Sequence, residues 1–137
     1  MIKHFKNYTR IETERLILRF PSMKDISDIA RNLSDINVSK WLLVVAYPYK
    51  KKDAIWFVNH CEENRKEKPI KNYNYWIELK ETGKVIGGIG LGSIKYDQKI
   101  SSLGYWLGVD YHGKGYGSEA LEALINLAFK KLKLRRL

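Results

Sequence analysis

Between His112 and Ser118 the chain reads His-Gly-Lys-Gly-Tyr-Gly-Ser, with a glycine at every second position. Glycine adopts positive φ readily and carries no Cβ, so backbone of this kind can gather several N–H groups around one oxygen-rich ligand. Leu121, Leu124, Ile125, Ala128, Phe129 and Leu132 follow on one stripe, which predicts a helix over about Tyr116–Leu132. A strand pattern over Ile100–Gly108 comes before the turn. Strand, glycine turn and helix N-terminus make an anion site, most naturally for a phosphate, because unpaired amides and the positive helix end point the same way. A tight turn with no ligand is the alternative. Two familiar phosphate loops do not fit. No Gly-Lys-Ser/Thr ending is present for a Walker A loop, and G-x-G-x-x-G fails because Ser118 or Ala120 falls at the third glycine.

The elements that must position this turn can be read in order. Leu16, Leu18 and Phe20 alternate with Arg15, Ile17 and Arg19, which predicts one strand over Thr9–Phe20, stopped by Pro21. Ser22 is a candidate N-cap with Asp25 three residues on, and Ile26, Ile29, Ala30 and Leu33 give the following helix one apolar face. Ile36, Val38, Trp41 and Leu42 mark an irregular crossing toward Pro48. A second helix is predicted over about Lys52–Glu67, with Ala54, Phe57, Val58 and Cys61 on one side. Three strands follow, Tyr73–Lys80, Val85–Ile94 and Ile100–Gly108. Their short turns predict an antiparallel meander. Gly87, Gly88, Gly90 and Gly92 in the middle strand imply either loose packing or close approach of a ligand or another backbone. Leu134–Leu137 are read as the start of a further strand.

Composition narrows the function classes. The 137 residues suit one domain of ordinary globular composition. No apolar run approaches the ~18 residues of a membrane span, and the basic N-terminus leads into no signal-peptide core, so a cytoplasmic protein is expected. Cys61 is the lone cysteine, which excludes an internal disulfide, and with three histidines no metal-ligand spacing exists, so no metal is expected. The net charge of +10 lies in local groups, at Lys50–Lys52, Arg65–Lys71 and Lys130–Arg136. Such groups are solvated faces or steer an acidic ligand. No nucleic-acid-binding signature accompanies them, so direct nucleic-acid binding is not expected.

Two stretches together carry a family likeness. Gly104-Tyr105-Trp106-Leu107, followed by Tyr111-His112-Gly113-Lys114-Gly115-Tyr116-Gly117-Ser118-Glu119-Ala120, resembles the acetyl-coenzyme A motif of the GNAT superfamily of N-acetyltransferases. Its pattern is Gln/Arg-x-x-Gly-x-Gly/Ala, with His112 where Gln or Arg is usual. Thr13-Glu14-Arg15-Leu16-Ile17-Leu18-Arg19 is similar to the opening of the branch that acetylates ribosomal-protein N-termini. The likeness covers nearly the whole chain. It implies an α/β (mixed α+β) acyl-CoA N-acetyltransferase fold of order β-α-α-β-β-β-α with a mostly antiparallel sheet.

The resemblance further implies that His112, Gly113, Lys114, Gly115, Tyr116, Gly117 and Ser118 hold the acetyl-CoA pyrophosphate, with Lys114 adding charge at its edge. Leu107, Gly108 and Val109 would pair with the pantetheine arm and place an N–H near the thioester oxygen. No covalent enzyme intermediate is implied, and Cys61 reads as a core residue. Relatives often carry a Glu base where this chain has Ser102. Other candidates for water-mediated proton removal are Glu78 and Tyr75, each of which also reads as an ordinary strand residue. Trp41, Tyr73 and Tyr75 would line the acceptor approach or else belong to the core. The family continues with further strands that form the far cleft wall. Those are expected to lie beyond Leu137, so that these 137 residues are C-terminally incomplete and not expected to be competent alone.

An α-amine, with pKa ~7.7–8.0, is roughly a tenth neutral at pH 7, whereas lysine at ~10.4 is neutral in under about one in a thousand. A site without a strong base therefore favours α-amines. The expected partner is an amine substrate, foremost a protein N-terminus, with a homodimer left open. The rivals are a small-molecule acetyltransferase acting on an amino acid, polyamine or aminoglycoside, and a basic acyl-CoA- or RNA-binding module without turnover.

Overall fold

A computed structural model describes residues 8–33 and 50–137 in full and residues 2–6 by their backbone. Strands β1 (Ile2–Lys6), β2 (Arg10–Thr13) and β3 (Leu16–Arg19) lead through a 3-10 turn at Met23–Asp25 into α1 (Ile26–Leu33). Helix α2 (Lys51–Asn64) precedes β4 (Tyr73–Leu79), β5 (Val85–Lys95) and β6 (Ile100–Leu107). A 3-10 turn at Val109–Tyr111 then leads to α3 (Tyr116–Asn126), which runs on into a π turn at Leu127–Lys131. The six strands form one sheet in sequence order, each antiparallel to the next. The expected irregular crossing, with Ile36, Val38, Trp41, Leu42 and Pro48, lies outside the described residues.

The mixed α/β class and the meander stand as expected. The N-terminal stretch differs, because the single strand read over Thr9–Phe20 is two strands folded back on each other, with Ile11 opposite Leu18 and Glu12 opposite Ile17. Thr13 makes the turn. Its buried hydroxyl oxygen accepts the Leu16 N–H at 3.1 Å, closing a two-residue loop at Glu14 and Arg15. Side chains of Leu16, Ile17 and Leu18 are all buried, so the apparent alternation here was not a half-solvated strand.

Successive residues of β4 and β5 serve opposite faces of the sheet. Tyr75, Ile77 and Ile86 join Ile11, Leu16 and Leu18 in a core closed by Ala120, Ala123, Leu124 and Leu127 of α3. Trp76 and Val85 instead join Ile29 and Leu33 of α1 and Ala54 and Val58 of α2. Small residues on α3 bring that helix close to the sheet, which fixes where its N-terminus lies relative to β6. Ser22 makes no side-chain cap; Asp25 is instead buried against Arg19, whose Nη1 and Nη2 donate to it at 2.6 and 2.9 Å while Nε donates to Glu78 at 2.8 Å. This fork ties β3, β4 and the entry to α1 together.

The glycines of β5 answer the question their spacing raised. A Cβ at Gly87 would collide with the Trp106 carbonyl oxygen, one at Gly88 would sit 2.8 Å from the Trp106 indole nitrogen, and one at Gly90 would sit 2.7 Å from the Tyr73 carbonyl. The close approach is by neighbouring protein strands. At the C-terminus the Arg135 N–H donates to Lys99 O at 2.7 Å and the Ser101 N–H to Arg136 O at 3.2 Å, a parallel bridge beside the start of β6. Among the described residues no helix is long and apolar enough to cross a membrane.

Candidate functional site

The free edge of β6 is set by one hydrogen bond. The Gly108 N–H donates to Ile86 O on β5 at 2.8 Å. Antiparallel alternation then turns the N–H and C=O groups of Leu107, Tyr105 and Leu103 to the other side, away from β5. The Leu107 carbonyl on that side meets His112 Nε2 at 2.8 Å. Gly108 itself is fully engaged, since its carbonyl accepts the Tyr111 N–H at 3.0 Å. Of the three residues expected to pair with a ligand arm, Gly108 is thus turned inward and Leu107 outward. The Val109 carbonyl accepts the His112 N–H at 3.2 Å.

Beyond this turn the backbone takes up positive φ twice, at Gly113 (75°) and Gly115 (83°). Gly115 is the N-cap of α3, and its carbonyl accepts the Glu119 N–H at 3.1 Å. The amides of residues 113 to 118 find no backbone acceptor among the described residues. A Cβ at Gly113 would have nothing within 4 Å, so the space beside the turn is open. Unengaged amides, two left-handed glycines and the positive end of an eleven-residue helix converge there. This is an anion cradle that fits a pyrophosphate, at the end of a strand edge that fits an extended amide-bearing arm. Gly117 lets Tyr105 and Leu107 pack beneath the helix; its Cβ would lie 3.3 Å from the Tyr105 ring.

Sequence reasoning missed what holds the cradle. Glu119, in the first turn of α3, accepts from Thr13 Oγ1 at 2.6 Å, from the Arg15 backbone N–H at 2.8 Å and from Arg15 Nε at 2.7 Å. Arg15 Nη1 donates to the Lys114 carbonyl at 3.0 Å, and its guanidinium lies 4.5 Å from the centre of the Tyr116 ring. Burial pushes the Glu119 carboxyl up, but the bonds from Thr13 and Arg15 outweigh it and hold the group below its usual range. No local signal marked it, because Thr13 and Arg15 sit on a turn that reads as continuous strand and Glu119 lies more than a hundred positions away.

The proposed proton-transfer residues are placed as follows. Tyr75 is buried, donates its hydroxyl to Tyr8 O at 2.5 Å, and has its pKa raised by burial. Glu78 is held in the Arg19 fork. Ser102 donates to Gly92 O at 3.0 Å on the exposed side of β6. Tyr73, expected to line the acceptor approach, is a core residue edge-on to Tyr8, as Tyr75 is beside Phe20; Trp41 lies outside the described residues. Cys61 is buried and its thiol is pushed up to about 12, first by desolvation, as its core reading requires.

The sequence pattern of the acetyltransferase (GNAT) domain family matches residues 15–137. N-acetyltransferase p20 of Bacillus licheniformis, itself uncharacterized, is 31% identical over 131 residues, covering 91% of this chain and 68% of that protein. A Vibrio cholerae structure provisionally assigned as a ribosomal-protein-serine acetyltransferase superposes with TM-score 0.78 at 26% identity, over 91% of this chain and 69% of its own. The microcin C7 self-immunity acetyltransferase MccE, solved with acetyl-CoA and AMP, shares the fold with TM-score 0.71 at 21% identity, over 87% of this chain and 65% of its own.

Proposed function

The chain belongs to the GNAT acetyltransferase family and is an acetyl-CoA-dependent enzyme; from that premise we propose that it acetylates protein N-terminal α-amines. The amides of residues 113–118 take the pyrophosphate of acetyl-CoA, and the outward edge of β6 at Tyr105 and Leu107 takes its pantetheine arm as an added strand. An outward N–H of that edge lies along the arm and stabilises negative charge developing on the thioester oxygen. Transfer is direct, with amine and acetyl donor held together.

The observation that carries the acceptor reading is the engagement of every candidate base among the described residues. Glu78 is ion-paired, Tyr75 is buried and bonded, and Ser102 is a poor base. A lysine side chain would require about 3 kcal/mol more help than an α-amine to present a neutral nitrogen at pH 7. The likeness to the Vibrio cholerae protein supports the same acceptor class.

The test is thiol release from acetyl-CoA with three acceptor sets. These are peptides with free serine or alanine N-termini, N-terminally blocked peptides bearing lysine, and small amines such as polyamines and aminoglycosides. Turnover is expected with the free N-termini, in a form extended past Leu137 where these 137 residues alone are inert. Turnover restricted to the small amines would replace this reading by the small-molecule one, and acetyl-CoA binding without turnover on any acceptor would leave a binding module.

A further inference from the structure

We propose that Arg15, on the β2–β3 turn, is a positioning residue that latches the Lys114–Gly115 peptide so that its amide faces the bound pyrophosphate. In a trans peptide the C=O and the following N–H point in opposite directions. Whatever fixes the Lys114 carbonyl therefore fixes the Gly115 amide. Lys114 stands between two glycines with φ of 75° and 83°, the residue type least able to hold a plane by its own sterics. Rotation of that plane by half a turn would aim a carbonyl oxygen, not an amide, at the anion. The cradle would then repel what it is shaped to hold.

Arg15 Nη1, donating to the Lys114 carbonyl at 3.0 Å, opposes that rotation. The side chain is itself immobilised by Glu119 Oε1 at Nε, by the Tyr116 ring beside the guanidinium, and by the Glu119 bond to its own backbone N–H. Arg15 Nη2 would lie 3.2 Å from a Cβ at Gly115, so the latch also passes close to the N-cap. A guanidinium is suited to this task because its planar fork can bond the helix carboxylate and the loop carbonyl together. A lysine ammonium is a point charge on a flexible stem.

The inference rests on the pyrophosphate reading, and the experiment separates the two. Calorimetry is run with acetyl-CoA and with S-acetylpantetheine, which keeps the arm and thioester but lacks the pyrophosphate. Failure of the unmodified protein to bind acetyl-CoA would sink the cofactor reading itself. Given that binding, Arg15→Ala is expected to weaken acetyl-CoA by roughly tenfold to a hundredfold, the range for losing one hydrogen bond to a charged group. S-acetylpantetheine affinity is expected to be unchanged. Unaltered acetyl-CoA affinity overturns the proposal, as does equal weakening of both ligands, which would indicate general damage. Arg15→Lys keeps the charge and is expected to recover only part of the loss; full recovery would reduce Arg15 to a point charge and overturn the latch.

Discussion

At Gly115 the φ of 83° strains any branched side chain, and a Cβ there would crowd the Arg15 guanidinium at 3.2 Å. Gly115→Val is expected to remove acetyl-CoA binding measurable by calorimetry; retained affinity would mean that the phosphates sit elsewhere. Tyr75 makes the opposite case. Its hydroxyl serves Tyr8 O inside the core, so Tyr75→Phe is expected to lower stability by about 1 kcal/mol, the net worth of one hydrogen bond, with kcat unaltered. A collapse of kcat at normal stability would restore Tyr75 as a residue for proton removal. Glu119 carries a pH dependence of definite sign. Its folded pKa is depressed, so its contribution to stability is complete above the ordinary carboxylate range near ~4.3 and is lost as pH falls through the lower folded value. Denaturant titrations across that window should show the loss in the native protein and a shallower dependence in Glu119→Gln.

Among the elements, β5 shows how far the sequence could be read. The hairpin turns announced its partners, but its four glycines left loose packing and a close approach equally open, and periodicity cannot say whether ligand or protein would make the approach. Only the register, with Gly87 opposite Leu107 and Gly88 opposite Trp106, identifies the neighbour. Gly87→Ala is accordingly expected to destabilise by about 1–3 kcal/mol, as overpacking does, because the Trp106 carbonyl is backbone and cannot turn aside. A neutral effect on urea midpoint would mean that β6 yields more easily than a paired strand should. The β2–β3 turn was hidden for a different reason. Glu14 and Arg15 are not turn-forming types, and the turn is made by the Thr13 side chain, whose hydrogen bond to Leu16 leaves no trace in hydropathy. The glycine turn and the helix it caps were legible because glycine spacing and helix pattern are local. Its latch was not, since Thr13 and Arg15 lie more than a hundred positions from Glu119 and meet it only through the fold.

Among the described residues, α1 and α2 pack on one face of the sheet and α3 on the other, β6 is the outer strand, and the C-terminal segment engages it around Lys99–Ser101. The outward groups of Leu103 and Tyr105 and the Leu107 N–H, with the half-exposed Tyr105 side chain among them, form a short template for any extended chain. Such a template does not discriminate between a coenzyme arm and the strand of another molecule. Two such edges meeting would be a route to self-association, driven by the same backbone groups that are proposed to take the coenzyme arm. Acetyl-CoA should therefore act as a solubility factor: light scattering on heating should begin later with saturating acetyl-CoA than with free phosphate at the same ionic strength. Equal onset in both would show that this edge is not where aggregation starts.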